Sequence, residues 1–245
     1  MLKQFELNRK FIEQLIILIK KNDSLSIAKK LKEIHPADIA DIIEELPEKH
    51  ARFLFEIFEN PKSADIIVEL DDDVRELILN ALSPKKIATK LIDNLESDNA
   101  ADVISELSEE KKIKVLAHIE NKSQADNIAD LLNYSNDTAG ALMAKELIQV
   151  NENWTTVKCL KEMRKQAERI KNIHTIYVVN DSNKICGLLS LKKLLVTEKS
   201  TIVKSIINTN FISVNTKTKN EEVANIMNKY NLVVIPVVNL ENKLL

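Results

Sequence analysis

The chain has 245 residues, with 35 basic and 37 acidic side chains, a formal net charge of −2 and 44% apolar residues. That is enough for one to three domains with real cores, and it excludes intrinsic disorder. The longest apolar runs, 15–19 and 232–238, fall far short of the ~18 residues a membrane span needs; no secretory leader opens the chain, and a soluble cytosolic chain is expected.

Cys159 and Cys186 form neither a disulfide framework nor a zinc spacing. Only two glycines occur, so glycine-rich phosphate loops are excluded, and there is no G-x-S-x-G elbow. His35, His50, His118 and His174 are scattered. No constellation supports an enzyme. The net charge hides an asymmetry: residues 1–139 hold 28 acidic and 19 basic side chains, a net −9, while residues 140–245 hold 9 and 16, a net +7. Such a division points to separate domains that attract each other. The basic half is too thinly charged for a nucleic-acid footprint, so no nucleic acid is expected as a partner.

From Leu2 to about Tyr134 the apolar residues recur every three or four positions, the helical period. Pro36, Pro47, Pro61 and Pro84 fall between periodic segments, where proline suits a helix start. Ser83-Pro84 and Ser108-Glu109-Glu110 read as helix starts. Segments 46–58, 70–82, 82–95 and 107–119 resemble one another, each opening with Leu, then a turn residue, then an amphipathic helix. A second set interleaves with them, beginning at Ala37-Asp38, Ala64-Asp65, Ala101-Asp102 and Ala125-Asp126. Repeats of this kind predict eight to ten short helices in a packed, superhelical array.

The helices carry carboxylates at helical spacing. Asp98, Asp102 and Glu106 stand at i, i+4 and i+8, and Asp38, Asp41 and Glu45 nearly so. Like charges at i, i+4 cost a few tenths of a kcal/mol per pair, a cost that a cation offsets. Mg²⁺ takes one or two carboxylates and keeps waters. The competing reading is that aspartates near helix starts cap orphan N–H groups.

The second half repeats a β-α-β-β-α unit. Strands are expected at 147–150, 176–179 and 185–189, with helices at 155–166 and 191–196; a further strand at 211–214 and a helix at 219–230 start the second copy. Val178-Val179-Asn180-Asp181-Ser182-Asn183-Lys184 matches Val237-Val238-Asn239-Leu240-Glu241-Asn242-Lys243 at five of seven positions. The second copy stops at Leu244-Leu245, before its last strand and helix, so a piece of a longer protein is expected. Trp154, Phe53, Phe55 and Phe58 read as packing residues, and the cysteines as small apolar ones.

These features resemble a known family. The second half looks like a tandem pair of CBS (cystathionine-β-synthase) domains. The array, the junction Asp137-Thr138-Ala139-Gly140-Ala141-Leu142-Met143 and the CBS pair together resemble the cytosolic region of MgtE-type magnesium transporters. The resemblance implies a multidomain chain: an all-α superhelical N-terminal domain (1–134), a junction (135–145), CBS domain 1 (146–204) and a truncated CBS domain 2 (205–245). It implies a homodimer formed through the CBS domains, on the cytoplasmic side of the membrane, regulating a transmembrane pore domain. Bound Mg²⁺ would hold the closed state by screening acidic faces. Carried over by position, the metal residues are Asp98, Asp102, Asp65 and Glu221. Lys219 and Asn231 stand where relatives often carry acids, and Lys217, Lys219 or Lys229 are expected to pair with the acidic array instead. Two rivals stay open: an adenine-nucleotide-sensing CBS module, and a structural adaptor resembling flagellar motor switch helices. Lys193 stands where nucleotide-binding CBS units carry a ribose-holding Asp, which argues against the first.

Overall fold

A computed structural model describes residue 5, residues 7–168 and residues 170–245 of the chain. They form two compact units, one of Met1–Leu95 with Asn99–Asp126 and the other of Glu96–Asp98 with Asn127–Leu245. Leu2, where the helical period begins in the sequence, lies outside the described residues.

Ten α-helices run through the described residues up to Leu131: α1 (Arg9–Lys20), α2 (Ser24–Leu31), α3 (Pro36–Glu44), α4 (Glu48–Ile57), α5 (Asn60–Ile67), α6 (Asp72–Ala81), α7 (Pro84–Lys86), α8 (Ser97–Ser105), α9 (Glu109–Leu116) and α10 (Lys122–Leu131). The two interleaved sequence sets correspond to two sets of helices. The Ala-Asp segments lie in α3, α5, α8 and α10; the Leu-opened ones are α4, α6, α7 with its continuation, and α9. Prolines sit in the first turn of α3, α5 and α7, where no N–H is missed. Ser83 caps α7 by accepting from the Lys86 N–H at 3.3 Å. Phe55, Leu54, Ile39, Ile42, Ile66 and Ile67 are fully buried, so the apolar stripe of each helix faces its neighbours.

The 82–95 segment is not one helix. After α7 the backbone widens into a π-turn, Ile87–Leu91, then tightens into a 3₁₀ turn, Ile92–Asn94. Side-chain amides of Asn60 and Asn94 both donate to the Thr89 carbonyl, each at 3.4 Å. The Lys90 ammonium is drawn back to the carbonyls of Phe55 and Glu56 at the end of α4.

That lysine belongs to a series. Lys62 donates to the carbonyls of Leu31, Lys32 and Ile34 at 2.8, 2.9 and 3.0 Å, closing the end of α2. Lys111 donates to the Leu79 carbonyl at 2.6 Å near the end of α6. Helix C-termini leave unpaired carbonyls and carry partial negative charge, and here an ammonium from about thirty residues onward satisfies three of them. Burial holds the pKa of all three lysines below the ordinary value.

In the second unit, β1 (Ile148–Asn151), β2 (Ile176–Val179) and β3 (Ile185–Leu189) form a sheet in the order β1-β2-β3, the first pair parallel and the second antiparallel. The short helix α11 (Ala139–Leu142) precedes β1; α12 (Thr156–Ala167) and α13 (Leu191–Val196) follow β1 and β3. Ile148, Val150, Cys159, Met163, Ile176, Val178 and Leu189 make the core. The partly buried Trp154 packs against it, with Lys158 over its ring at 4.6 Å.

The second copy is shorter. β4 (Val214–Asn215) pairs in parallel with β5 (Val237–Val238) over two residues only, and α14 (Asn220–Tyr230) lies between them. Pro236 contributes only its carbonyl, which accepts from the Val214 N–H at 3.0 Å, and having no N–H it limits the ladder. The strand expected at 211–214 is thus confined to its last residue and the one beyond.

The repeated turn is identical in its hydrogen bonds. Asn180 Oδ1 accepts from the Ser182 and Lys184 N–H groups, both at 3.0 Å, and Asn239 Oδ1 accepts from those of Glu241 and Lys243 at 2.9 and 3.0 Å. Asn183 and Asn242 both adopt positive φ, 62° and 61°, which asparagine tolerates. The two turns then bond to each other reciprocally: the Ile185 N–H donates to the Asn242 carbonyl at 3.2 Å, and the Leu244 N–H to the Asn183 carbonyl at 3.3 Å. The CBS-like copies therefore meet about a local two-fold through their most similar residues.

Candidate cation site and the cleft between the CBS units

Asp98 stands in the first turn of α8 and Asp102 one turn later; Asp98 is half-buried and Asp102 exposed. Both take part in polar or electrostatic interactions with the protein. The third carboxylate of the series, Glu106, lies past the end of α8. The Arg75 guanidinium holds it in a bidentate pair, at 2.7 Å to Oε1 and 3.0 Å to Oε2, so it is committed to the fold. Asp65 is half-buried on α5, and Glu221 is exposed in the first turn of α14. Among the described residues no cluster of three or more His, Cys, Asp or Glu side chains is placed to hold a metal ion.

The start of α8 is held firmly. The buried Ser97 donates through its N–H and its hydroxyl to Glu146 Oε2, at 3.1 and 2.7 Å, and its Oγ accepts from the Lys145 N–H at 3.0 Å. Lys145 in turn pairs with Asp130 at 2.8 Å. Glu96 accepts from the Lys171 N–H at 3.2 Å. This clamp fixes the turn that carries Asp98. No local pattern in the sequence linked Ser97 to Glu146, 49 residues on.

Asp98 lines a cleft of about 430 Å³ together with Glu96, Glu146, His174 and apolar side chains such as Ile148, Met227 and Val237. Glu221 belongs to a different, shallower hollow on α14, beside Lys219, Glu222 and Lys229. Within this unit the structure does not bring Asp98 and Glu221 into one hollow, so the two do not form a joint site here.

The Lys219 ammonium pairs with the Asp137 carboxylate in the junction. Lys229 lies over the ring of its neighbour Tyr230 at 5.2 Å. At the nucleotide-type position, Ser190 caps α13 by accepting from the Lys193 N–H at 3.2 Å. Lys192 and Lys193 are exposed, and no acidic acceptor stands there. Cys159 is fully buried, and burial pushes its thiol up to about 11, which makes it a packing residue and a poor nucleophile.

A helical array followed by two reciprocally bonded β-α-β copies defines a class: a helical domain joined to a tandem CBS module. The MgtE intracellular N domain matches residues 34–137, and the CBS domain matches 139–198 and 203–245. The chain thus carries an MgtE-type intracellular N domain followed by CBS domains. It is 28% identical over 227 residues to the magnesium transporter MgtE of Thermus thermophilus, covering 92% of this chain and 50% of that one. To the magnesium transporter MgtE of Bacillus subtilis it is 28% identical over 233 residues, covering 95% and 51%. The chain thus spans about half the length of these curated relatives. A crystal structure of the cytosolic domain of the Mg²⁺ channel MgtE in complex with ATP aligns with a TM-score of 0.86 at 28% identity, over 95% of this chain and 94% of that one. The soluble part of a magnesium transporter aligns with a TM-score of 0.79 at 25% identity, over 96% and 91%. No helix among the described residues is long and apolar enough to cross a membrane.

Proposed function

We propose that the chain is the cytosolic, Mg²⁺-sensing region of a magnesium transporter, dividing into a helical domain (1–134), a junction (135–145) and two CBS domains (146–204 and 205–245). In this reading it works as a homodimer through its CBS domains and gates a transmembrane pore domain of the full-length protein. Mg²⁺ favours a closed arrangement of helical and CBS domains, and a fall in Mg²⁺ releases it, a population shift by a ligand that prefers one state. The observation that carries the reading is the carboxylate pair Asp98 and Asp102, one turn apart on a helix whose start is clamped by Glu146, in a chain that matches the MgtE intracellular N domain. Two carboxylates without a larger cage suit Mg²⁺, which retains several waters. Asp65 and Glu221 supply further negative charge in this reading. The exposed apolar side chains of Val157, Leu195, Val196 and Ile202 on the first CBS unit support pairing with a second copy.

Small-angle scattering with and without millimolar Mg²⁺, at constant ionic strength, tests the proposal. A dimer mass and a smaller radius with Mg²⁺ are expected, and Asp98→Ala with Asp102→Ala removes the change. A radius indifferent to Mg²⁺ in the unaltered chain overturns it.

A second reading, in which the CBS units bind ATP, draws on the ATP complex of the similar cytosolic domain. The exposed Lys193, with no carboxylate at its position, leaves the ribose hydroxyls without the expected acceptor. Calorimetric titration with ATP separates the two readings.

A further inference from the structure

Residues 135–140, where the junction meets the first CBS domain, are bonded to the second CBS unit, some eighty residues away in sequence. The Ala139 N–H donates to the Thr218 carbonyl at 2.8 Å, the Gly140 N–H to the Thr216 carbonyl at 2.9 Å, and the Asn220 N–H to the Asp137 carbonyl at 3.0 Å. Thr138 and Lys219 face each other in an antiparallel bridge. The Lys219 ammonium closes the bridge on the Asp137 carboxylate, which Ser135 Oγ also holds at 2.7 Å. Thr138 Oγ1 donates to the Ser135 carbonyl at 2.7 Å, tightening the turn.

Gly140 permits this approach. A Cβ at that position would lie 2.5 Å from Tyr134 Cδ1 and 3.0 Å from the Thr216 carbonyl oxygen. The first is closer than real side chains come, and the second leaves no slack against backbone. With only two glycines in the chain, one is placed where the junction passes between a tyrosine ring and a loop of the second CBS unit. Thr138, Ala139 and Gly140 are all buried, although the ion pair itself is exposed.

We infer that residues 135–140 form a strap that fastens the junction to the second CBS unit, locked by the Lys219–Asp137 pair and admitted by Gly140. The strap's consequence is mechanical. The second CBS unit is tied to the junction directly, not only through the first CBS unit, so any movement of the second unit pulls on residues 135–140. Because the chain's own ammonium neutralises Asp137, the strap closes without a divalent cation.

Amide hydrogen exchange on the 245-residue chain tests this. Ala139, Gly140 and Asn220 should exchange slowly, at matching rates, and equally with and without millimolar MgCl₂. Lys219→Met should speed all three together several-fold, and Gly140→Ala by tenfold or more, while Val178 and Leu189 in the sheet keep their wild-type rates. Free-amide exchange of the three in the unaltered chain, unequal responses among them, or protection that appears only with Mg²⁺ overturns the strap. If Gly140→Ala fails to fold, Lys219→Met alone decides.

Discussion

Lys219 at the start of α14 and Asp137 in the junction form an ion pair across 82 positions of sequence. The Lys219 ammonium, with help from the Ser135 hydroxyl, holds the Asp137 carboxyl below the ordinary aspartate value. Both partners are solvent-exposed, so salt screens the attraction. The pair locks a geometry that backbone hydrogen bonds and the Gly140 contact build.

Reversing the charge at that lock should make it depend on a cation. Lys219→Glu places a second carboxylate opposite Asp137, and the strap amides should then exchange faster than in the unaltered chain. Millimolar Mg²⁺ should slow them again in Lys219→Glu and have no such effect in Lys219→Met, as exchange rates read with and without the ion will show. Acid should act similarly on the unaltered chain. A carboxyl with a depressed folded-state pKa stabilises above its unfolded value, and that contribution is lost as pH falls through the folded one. Strap protection should therefore hold down to the ordinary aspartate range and fade below it, and Lys219→Met, which removes the main cause of the depression, should start less protected and show a weaker dependence on pH.

The lysine caps of the array are open to a stability test. Lys62→Ala strips three carbonyls at the end of α2 of their donor. Losing charged hydrogen bonds at partly buried groups costs about 1–3 kcal/mol, so thermal denaturation should show a lower Tm. A substitution at the exposed Lys85 should leave Tm within the small range typical of surface positions.

Asp93 has the opposite character. Its Oδ1 is buried without a hydrogen-bond partner, and burial together with Glu120 raises its pKa, against a backbone hydrogen bond from Glu120 that lowers it. A raised carboxyl pKa disfavours the folded state once pH exceeds it, and the penalty disappears as pH falls below the unfolded value. Asp93→Asn should therefore stabilise the helical unit at neutral pH, by roughly 0.5–1 kcal/mol after allowing for its partial exposure. The gain should shrink as denaturation is measured at progressively lower pH.

The two cysteines should separate by reactivity. Cys159 is fully buried with its thiol raised to about 11, so almost none is thiolate at pH 8, and the thiolate is the reactive form. Cys186 is only half-buried. A thiol reagent at pH 8 should label Cys186 alone in the native protein and both after denaturation, as mass spectrometry of the peptides will show.

The two helix sets were legible because each helix of the array buries one stripe, and one stripe leaves a 3.6-residue period in the sequence. The duplicated turn was legible for a different reason: Asn180 and Asn239 must each accept two backbone N–H groups, and Asn183 and Asn242 must take positive φ, so the same residues recur at the same spacing. The candidate carboxylates Asp98 and Asp102 were visible as a spacing on one helix. That Glu106, next in that spacing, belongs to Arg75 was not.

The amino-acid sequence by itself determined the order of helices, the two CBS-like copies, the family resemblance and the helix that carries the paired aspartates. These depend on local periods and on residues within a turn or two of each other. The tertiary structure alone decided the partners of Lys62, Lys90, Lys111, Glu146 and Lys219. Each of these ends a long flexible side chain on a backbone or carboxylate group 28 to 82 positions away, and nothing in a local pattern records which distant carbonyl or carboxylate the packed fold will leave in need of a partner.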